Sequence, residues 1–289
     1  MKHLRYSLIV FGISGLLIAC GGGDAKKEEQ GKEAKKPAAP QITLTKVANS
    51  PEYPDSKLKL VSPTGGEKLA TGDINFDFDV EGTYELGSQT IDADVKGCAN
   101  SKQGHHIHMI VDNNPYTAHY NSEFTRPITR EGNHIVLAFL SRSYHESIKT
   151  PDAYVLTQLT VGDVEAEKAD LSGQHMFYSR PKGTYKGKDT KKVLLDFYLV
   201  NTTLAPDGNK VKATINGNEF IIDEWVPHFI EGLPMGETNI QLQLIDKDGK
   251  EIPGPYNTVN RTITLEKGAE AKQQPAPKKG KEGEKTGEK

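Results

Sequence analysis

Six of the nine histidines fall between positions 105 and 145: His105, His106, His108, His119, His134 and His145. Neutral imidazole is a good ligand for zinc or copper, so such a concentration is first a question about metal. His106 and His108 are two apart, and on an extended chain both rings share one face, about 7 Å from each other. His119 would join them from the next strand, across the turn Asp112–Pro115, and His134 from a third. Cys98 is a candidate soft ligand and Met109 a weaker one. The expected ligand set for copper or zinc is therefore His106, His108, His119, His134 and Cys98. The competing reading is a polar face of histidines bonded to neighbours and solvent. A second constellation is Arg142 with Ser143 and His145. An arginine fork suits phosphate or carboxylate, so this segment is the candidate anion-binding loop, against the alternative of a solvated loop.

Other chemistries leave no trace. Ser143 and His145 are two residues apart with no nucleophile elbow, and there is no P-loop, dinucleotide fingerprint or zinc-protease helix. Asp246-Lys247-Asp248-Gly249 reads as a β-turn rather than the start of a calcium loop. No nucleophile or acid–base pair stands out, and the expectation is a non-enzymatic binding module. The net charge of −3 argues against nucleic acid as a partner.

The elements that must position these residues are strands. Ile74 to Val80 alternates, with Ile74, Phe76, Phe78 and Val80 on one face and Asn75, Asp77 and Asp79 on the other. Further strands are expected at Leu58–Val61, His106–Asp112, Tyr116–Tyr120, His134–Ser141 and Tyr154–Val161. A second set follows at Val193–Val200, Lys210–Ile215, Glu219–Ile222, Asn239–Ile245 and Val259–Leu265. No segment keeps a helical period over ten residues. Short strands separated by Gly, Pro, Asn and Asp turns indicate sandwiches.

The two sets read as a diverged internal repeat. His106 and His108 align with Lys210 and Lys212, and so belong to an outward face. With a one-residue gap, His134 aligns with Asn239, also outward. Val136 and Ala138 then stand where the second copy has Gln241 and Gln243, which suggests that this outward face is covered. The expected fold is all-β, two immunoglobulin-like β-sandwich domains in tandem behind a disordered tether. The first spans 58–162, the second 190–266, with a connector at 163–189; a single larger sandwich is the alternative.

The N-terminus carries Lys2 and Arg5, an apolar run from Leu8 to Leu17, and then Leu17-Ile18-Ala19-Cys20. This resembles the lipobox of bacterial lipoproteins. It implies a signal peptide at 1–19, lipid on Cys20, and a membrane partner held through that lipid. Gly21 after the cysteine, by the same resemblance, favours the outer membrane. Residues 20–57 and 268–289 are rich in Gly, Lys, Glu, Ala and Pro, and read as a disordered tether and tail. Lipidation of Cys20 would leave Cys98 without an intramolecular partner.

Two resemblances extend this. Gly104-His105-His106-Ile107-His108-Met109-Ile110-Val111-Asp112, His119 and Gly132-Asn133-His134-Ile135-Val136-Leu137 are similar to a His-rich exported bacterial domain of unknown function, which implies a β-sandwich over 58–162. The whole body, with Gly97-Cys98-Ala99-Asn100 and Ala138-Phe139-Leu140-Ser141-Arg142-Ser143-Tyr144-His145-Glu146-Ser147, looks like a family of bacterial lipoproteins often labelled phosphopeptide-binding proteins. That resemblance implies a protein or peptide ligand in the cell envelope. Three readings therefore stand: a metal-binding module, a phosphopeptide or anion binder using the Arg142 loop, and a structural envelope protein that docks on a partner.

Overall fold

The computed structural model describes residues 41–64 and 66–268. The expected signal peptide, Cys20, the expected tether up to residue 40 and the expected tail from residue 269 lie outside the described residues. In chain order the first nine strands are β1 (Thr43–Lys46), β2 (Lys57–Ser62), β3 (Lys68–Leu69), β4 (Gly72–Glu81), β5 (His106–Val111), β6 (Thr117–His119), β7 (Glu123–Ile128), β8 (Gly132–Ser141) and β9 (Tyr154–Val161). They are followed by β10 (His175–Arg180), β11 (Thr184–Lys186), β12 (Val193–Val200), β13 (Lys210–Ile215), β14 (Asn218–Ile222), β15 (His228–Glu231), β16 (Gly236–Ile245) and β17 (Thr258–Glu266). One helical turn, α1 (Ala93–Lys96), lies between β4 and β5, and a short 3-10 turn lies before β12.

The fold is all-β, built as two immunoglobulin-like sandwiches. In the first, the sheet β2-β4-β7 faces the sheet β3-β9-β8-β5-β6; in the second, β1-β15-β12-β10 faces β11-β17-β16-β13-β14. The repeat is complete. Each strand from β2 to β9 has a counterpart eight strands later, down to the parallel pairings β3 with β9 and β11 with β17. Each sandwich has its own core. Phe76, Phe78, Ile107, Met109, Val136 and Leu140 fill the first, and Tyr178, Leu195, Phe197, Val211, Ile240 and Ile263 the second.

Strand register corrects the alignment of the two copies. Val111 pairs with Val136, and Ile215 with Ile240, so the copies match here without a gap. His134 therefore corresponds to Thr238, not Asn239. Val136 and Ala138 face the first core, and the outward positions are Ile135, Leu137 and Phe139. A slip of one residue in a strand moves every side chain to the other face. The second copy carries Asn239, Gln241 and Gln243 at those outward positions, exposed or half-buried.

The cover is the second sandwich itself. Ile110, Ile135, Leu137 and Phe139 pack against Phe177, Tyr198 and Val200 from the outer face of β10 and β12. Phe139 stacks on Tyr198 with centroids 4.7 Å apart. Polar groups stitch the same seam. The buried Asp196 carboxylate accepts from Lys149 Nζ at 2.8 Å and from the Ser147 amide at 2.7 Å. Asn113 Oδ1 accepts from the Tyr178 amide at 3.1 Å. As a result β5, β10 and β12 are buried along their whole length on both faces.

Two expected boundaries move. The expected tether 20–57 contains β1, whose Thr43–Lys46 pairs antiparallel with β15 of the second sandwich. Its Ile42 and Leu44 pack on the second core. Residues 47–56 then run back along the first sandwich, where Lys96 Nζ donates to the Ala48 carbonyl at 3.0 Å and Ser50 Oγ to Glu146 at 2.7 Å. The expected connector 163–189 contains β10 and β11, both strands of the second sandwich. Among the described residues no helix is long and apolar enough to cross a membrane.

Because the seam buries Phe139 completely, Phe139→Ala is expected to cost about 3–5 kcal/mol. Denaturant unfolding followed by Trp225 fluorescence and by circular dichroism checks this. The two probes are expected to give coincident transitions in the wild type, since Trp225 packs edge-on against Tyr198 on the seam. Separate midpoints would mean that the sandwiches unfold independently.

Candidate metal centre

Three of the histidines converge. His106 and His108 leave β5 on its seam-facing side. His145 comes from the turn after β8, where His145 N–H donates to the Arg142 carbonyl at 2.8 Å and Arg142 N–H to the Glu146 carbonyl at 2.8 Å. His106 Nε2 lies 2.8 Å from His108 Nε2 and 3.0 Å from His145 Nδ1. All three ligand atoms lie within 4.8 Å of one another, and this is the group of metal-ligating type found among the described residues. Tetrahedral zinc with bonds of about 2.0–2.1 Å separates neighbouring ligand nitrogens by about 3.3 Å. The two spacings from His106 Nε2 need to open by only a few tenths of an ångström.

The surroundings hold these nitrogens in place. His106 Nδ1 donates to the Gly104 carbonyl at 2.8 Å. That fixes its tautomer and aims the Nε2 lone pair at His108 and His145, with the Nδ1 hydrogen bond typical of metal-bound histidine. Gly104 has φ +84°, and a Cβ there would collide with the Gly87 carbonyl, so only glycine serves. His145 sits at φ +69°, a conformation a non-glycine residue adopts at a cost of about 1–3 kcal/mol. Arg142 supports that turn: it pairs with Glu146 at 3.0 Å and donates to the Ser147 and Pro51 carbonyls.

Burial keeps the cluster neutral. It lowers the His106 pKa to about 4, against a partial rise from the Gly104 hydrogen bond. Burial also pushes His108 and His145 well below the usual imidazole value, with Arg180 and the neighbouring rings adding to the effect. All three rings are thus in the form that binds metal at neutral pH. No carboxylate belongs to the cluster. His108 Nδ1 is buried without a hydrogen-bond partner.

No protein-family model matches the chain, and no curated protein matches it in sequence. Solved structures that align include the fibronectin(III)-like modules of Clostridium thermocellum CbhA. These are 14% identical with a TM-score of 0.26, over 73% of this chain and 94% of that one. The two tandem V-type regions of VCBP3, a v-region-containing chitin binding protein, are 8% identical with a TM-score of 0.22, over 73% and 99%. The central fibronectin-III array of RIM-binding protein is 11% identical with a TM-score of 0.24, over 75% and 64%. At such scores these likenesses carry no argument about function.

The remaining expected ligands lie elsewhere. His119 pairs with Ile107, on the opposite face of the sheet from His106 and His108. Its ring stacks on Phe124 at 3.5 Å and its Nε2 meets Thr117 Oγ1 at 2.7 Å. His134 is engaged at both nitrogens, by Asp112 Oδ2 at 2.6 Å and the Arg130 carbonyl at 2.9 Å, away from His106 and His108. Cys98 packs among Ala93, Tyr144, Leu194 and Phe229, and burial raises its thiol to about 11, so it stays protonated and inert. His105 uses both nitrogens on Glu85, Thr90 and Tyr53.

The expected anion loop is likewise taken apart. The Arg142 guanidinium is occupied by Glu146 and backbone carbonyls. Ser143 is buried and bonded to Thr90, its Oγ 3.0 Å from Thr90 Oγ1. His145 belongs to the histidine cluster.

A pH dependence follows from the lowered histidines. In the unfolded chain each returns to about 6.5. Acidification therefore protonates the unfolded state first. Stability is full above that value and is lost as the pH falls toward 4, by up to about 1.4 kcal/mol per pH unit for each such histidine. His119, also lowered to about 4 by burial, adds to this, while Glu146, raised by burial, opposes it. Urea unfolding of the metal-free protein at a series of pH values is expected to show a loss of several kcal/mol between about pH 7 and pH 4.5. A flat profile would contradict the buried, neutral cluster.

Proposed function

We propose that this protein is a non-enzymatic binding module of the cell envelope that holds one metal ion, copper or zinc, through His106, His108 and His145. The observation that carries the reading is the convergence of three buried imidazole nitrogens, kept neutral by burial and fixed by the Gly104 carbonyl and the strained His145 turn. A polar face that only needed to be wet would not bury its histidines or spend backbone strain on aiming one of them. The Cys20 motif supports placing this module on a membrane, the outer membrane by its Gly21, with the lipid as its anchor.

Metal analysis of the full chain after loading with Zn(II) or Cu(II) and removal of excess ion tests the reading. One equivalent is expected, with a rise in melting temperature. Metal at a hundred times its Kd adds about 2.7 kcal/mol of stability, and a chelator is expected to reverse it. His106→Ala and His145→Ala are expected to weaken binding at least a hundredfold, whereas His119→Ala is expected to leave the stoichiometry unchanged. Absence of both bound metal and a thermal shift would sink the proposal.

A further inference from the structure

The three histidines leave a charge problem. Arg180 reaches the site from the second sandwich, with 7% of its surface exposed. Its Nε donates to Tyr116 Oη at 2.9 Å and its Nη1 to Tyr185 Oη at 3.2 Å. None of the ion pairs among the described residues includes Arg180. A buried cation satisfied only by neutral phenols bears a large desolvation cost unless an anion completes it. Lys182 adds a second positive group: its Nζ lies 3.9 Å from the centre of the Tyr116 ring and donates to the Tyr116 carbonyl at 2.7 Å. A divalent ion held by three neutral imidazoles would be repelled by both cations.

Tyr116 stands where this problem can be solved. Its hydroxyl lies 3.5 Å from His145 Nδ1, close to the separation two ligands of one metal require. Its ring is buried and stacks on His108 with centroids 3.5 Å apart, so the oxygen is held rigidly. The hydroxyl thus continues the run of donor atoms His108 Nε2, His106 Nε2, His145 Nδ1.

We infer that the Tyr116 hydroxyl oxygen is the fourth donor of the site, and that Arg180 is the positioning residue which holds that oxygen and balances its charge. This rests on the three-histidine reading above. On binding a metal, the oxygen would exchange its O–H bond for a metal–oxygen bond and the proton would leave to solvent, with the Arg180 N–H still donating to the oxygen. A phenolate ligand would lower the net charge of the site by one, leave the oxidation state of the ion unchanged, and give Arg180 its anion. A hard oxygen donor with three imidazoles selects a divalent ion, Cu(II) or Zn(II), over Cu(I), which prefers sulfur ligands.

The full chain titrated with Cu(II) in a non-coordinating buffer provides the test. The wild type is expected to develop a visible phenolate-to-Cu(II) charge-transfer band that saturates at one equivalent, with phenolate modes in its resonance Raman spectrum. Tyr116→Phe keeps the ring; it is expected to lose the band and bind at least tenfold more weakly. Arg180→Gln is expected to shift the band and weaken binding severalfold. Copper bound by the wild type without the band or the phenolate modes would overturn the assignment of Tyr116 and leave the three histidines standing. So would equal affinity in a folded Tyr116→Phe. Failure of the wild type to bind copper, with His106→Ala no different, would overturn both readings. The wild-type spectra need no variant to fold.

Discussion

The structure depends on one packing event: the outer face of β5 and β8 lies against the outer face of β10 and β12. Each sandwich already has a core of its own, so these faces would otherwise meet water. Ile135, Leu137 and Phe139 replace the polar residues found at the matching positions of the second copy, and Phe177, Tyr198 and Val200 meet them. Once the seam is dry, a polar group caught in it costs free energy unless it finds a partner. Asp196 finds Lys149, Asn113 finds the Tyr178 amide, and Arg180 finds two tyrosine hydroxyls. His106 and His108 find mainly each other and His145. The candidate centre is thus a product of the seam: the same two strands, exposed, would carry a wet pair of histidines of no consequence.

The architecture was legible wherever one strand face is buried and the other wet. Ile74 to Val80 alternates and is β4; Asn216-Gly217 is the turn between β13 and β14. The two-sandwich repeat followed from such segments. Doubly buried strands lose the alternation. β10 reads His-Met-Phe-Tyr-Ser-Arg with every residue buried, and it follows a charged stretch, so nothing in its pattern separated it from a connector. β7 contains Pro127, which a central strand could not accept, but β7 lies at the edge of its sheet. β1 is only four residues long and follows a run of Lys, Ala and Pro, and its partner β15 lies far along the chain.

The site was legible in part. The outward direction of His106 and His108 followed from their match to Lys210 and Lys212, and both do leave the first core. The other members could not be read by spacing. His119 and His134 are near in sequence but project from other faces, because parity along a strand, not distance along the chain, decides who meets. His145 joins through a left-handed backbone turn that no residue type announces. Tyr116 and Arg180 carry no metal-ligand signature, and Arg180 arrives from the other sandwich. Cys98 illustrates the converse: a thiol close in sequence to the histidine run is packed into a separate apolar pocket with its proton retained.

The β1 strand alters how the two halves relate as segments of one chain. The second sandwich takes an added edge strand from the chain before the first sandwich begins, so in sequence the first sandwich lies between β1 and the rest of its neighbour. A gene cut between β9 and β10 would separate neither half cleanly. The downstream piece would present β15 as a bare edge, able to recruit β1 from another molecule. Covalent order and spatial order are interleaved here, so no single break in the chain frees the histidine-bearing sandwich from the one that covers it with both left intact.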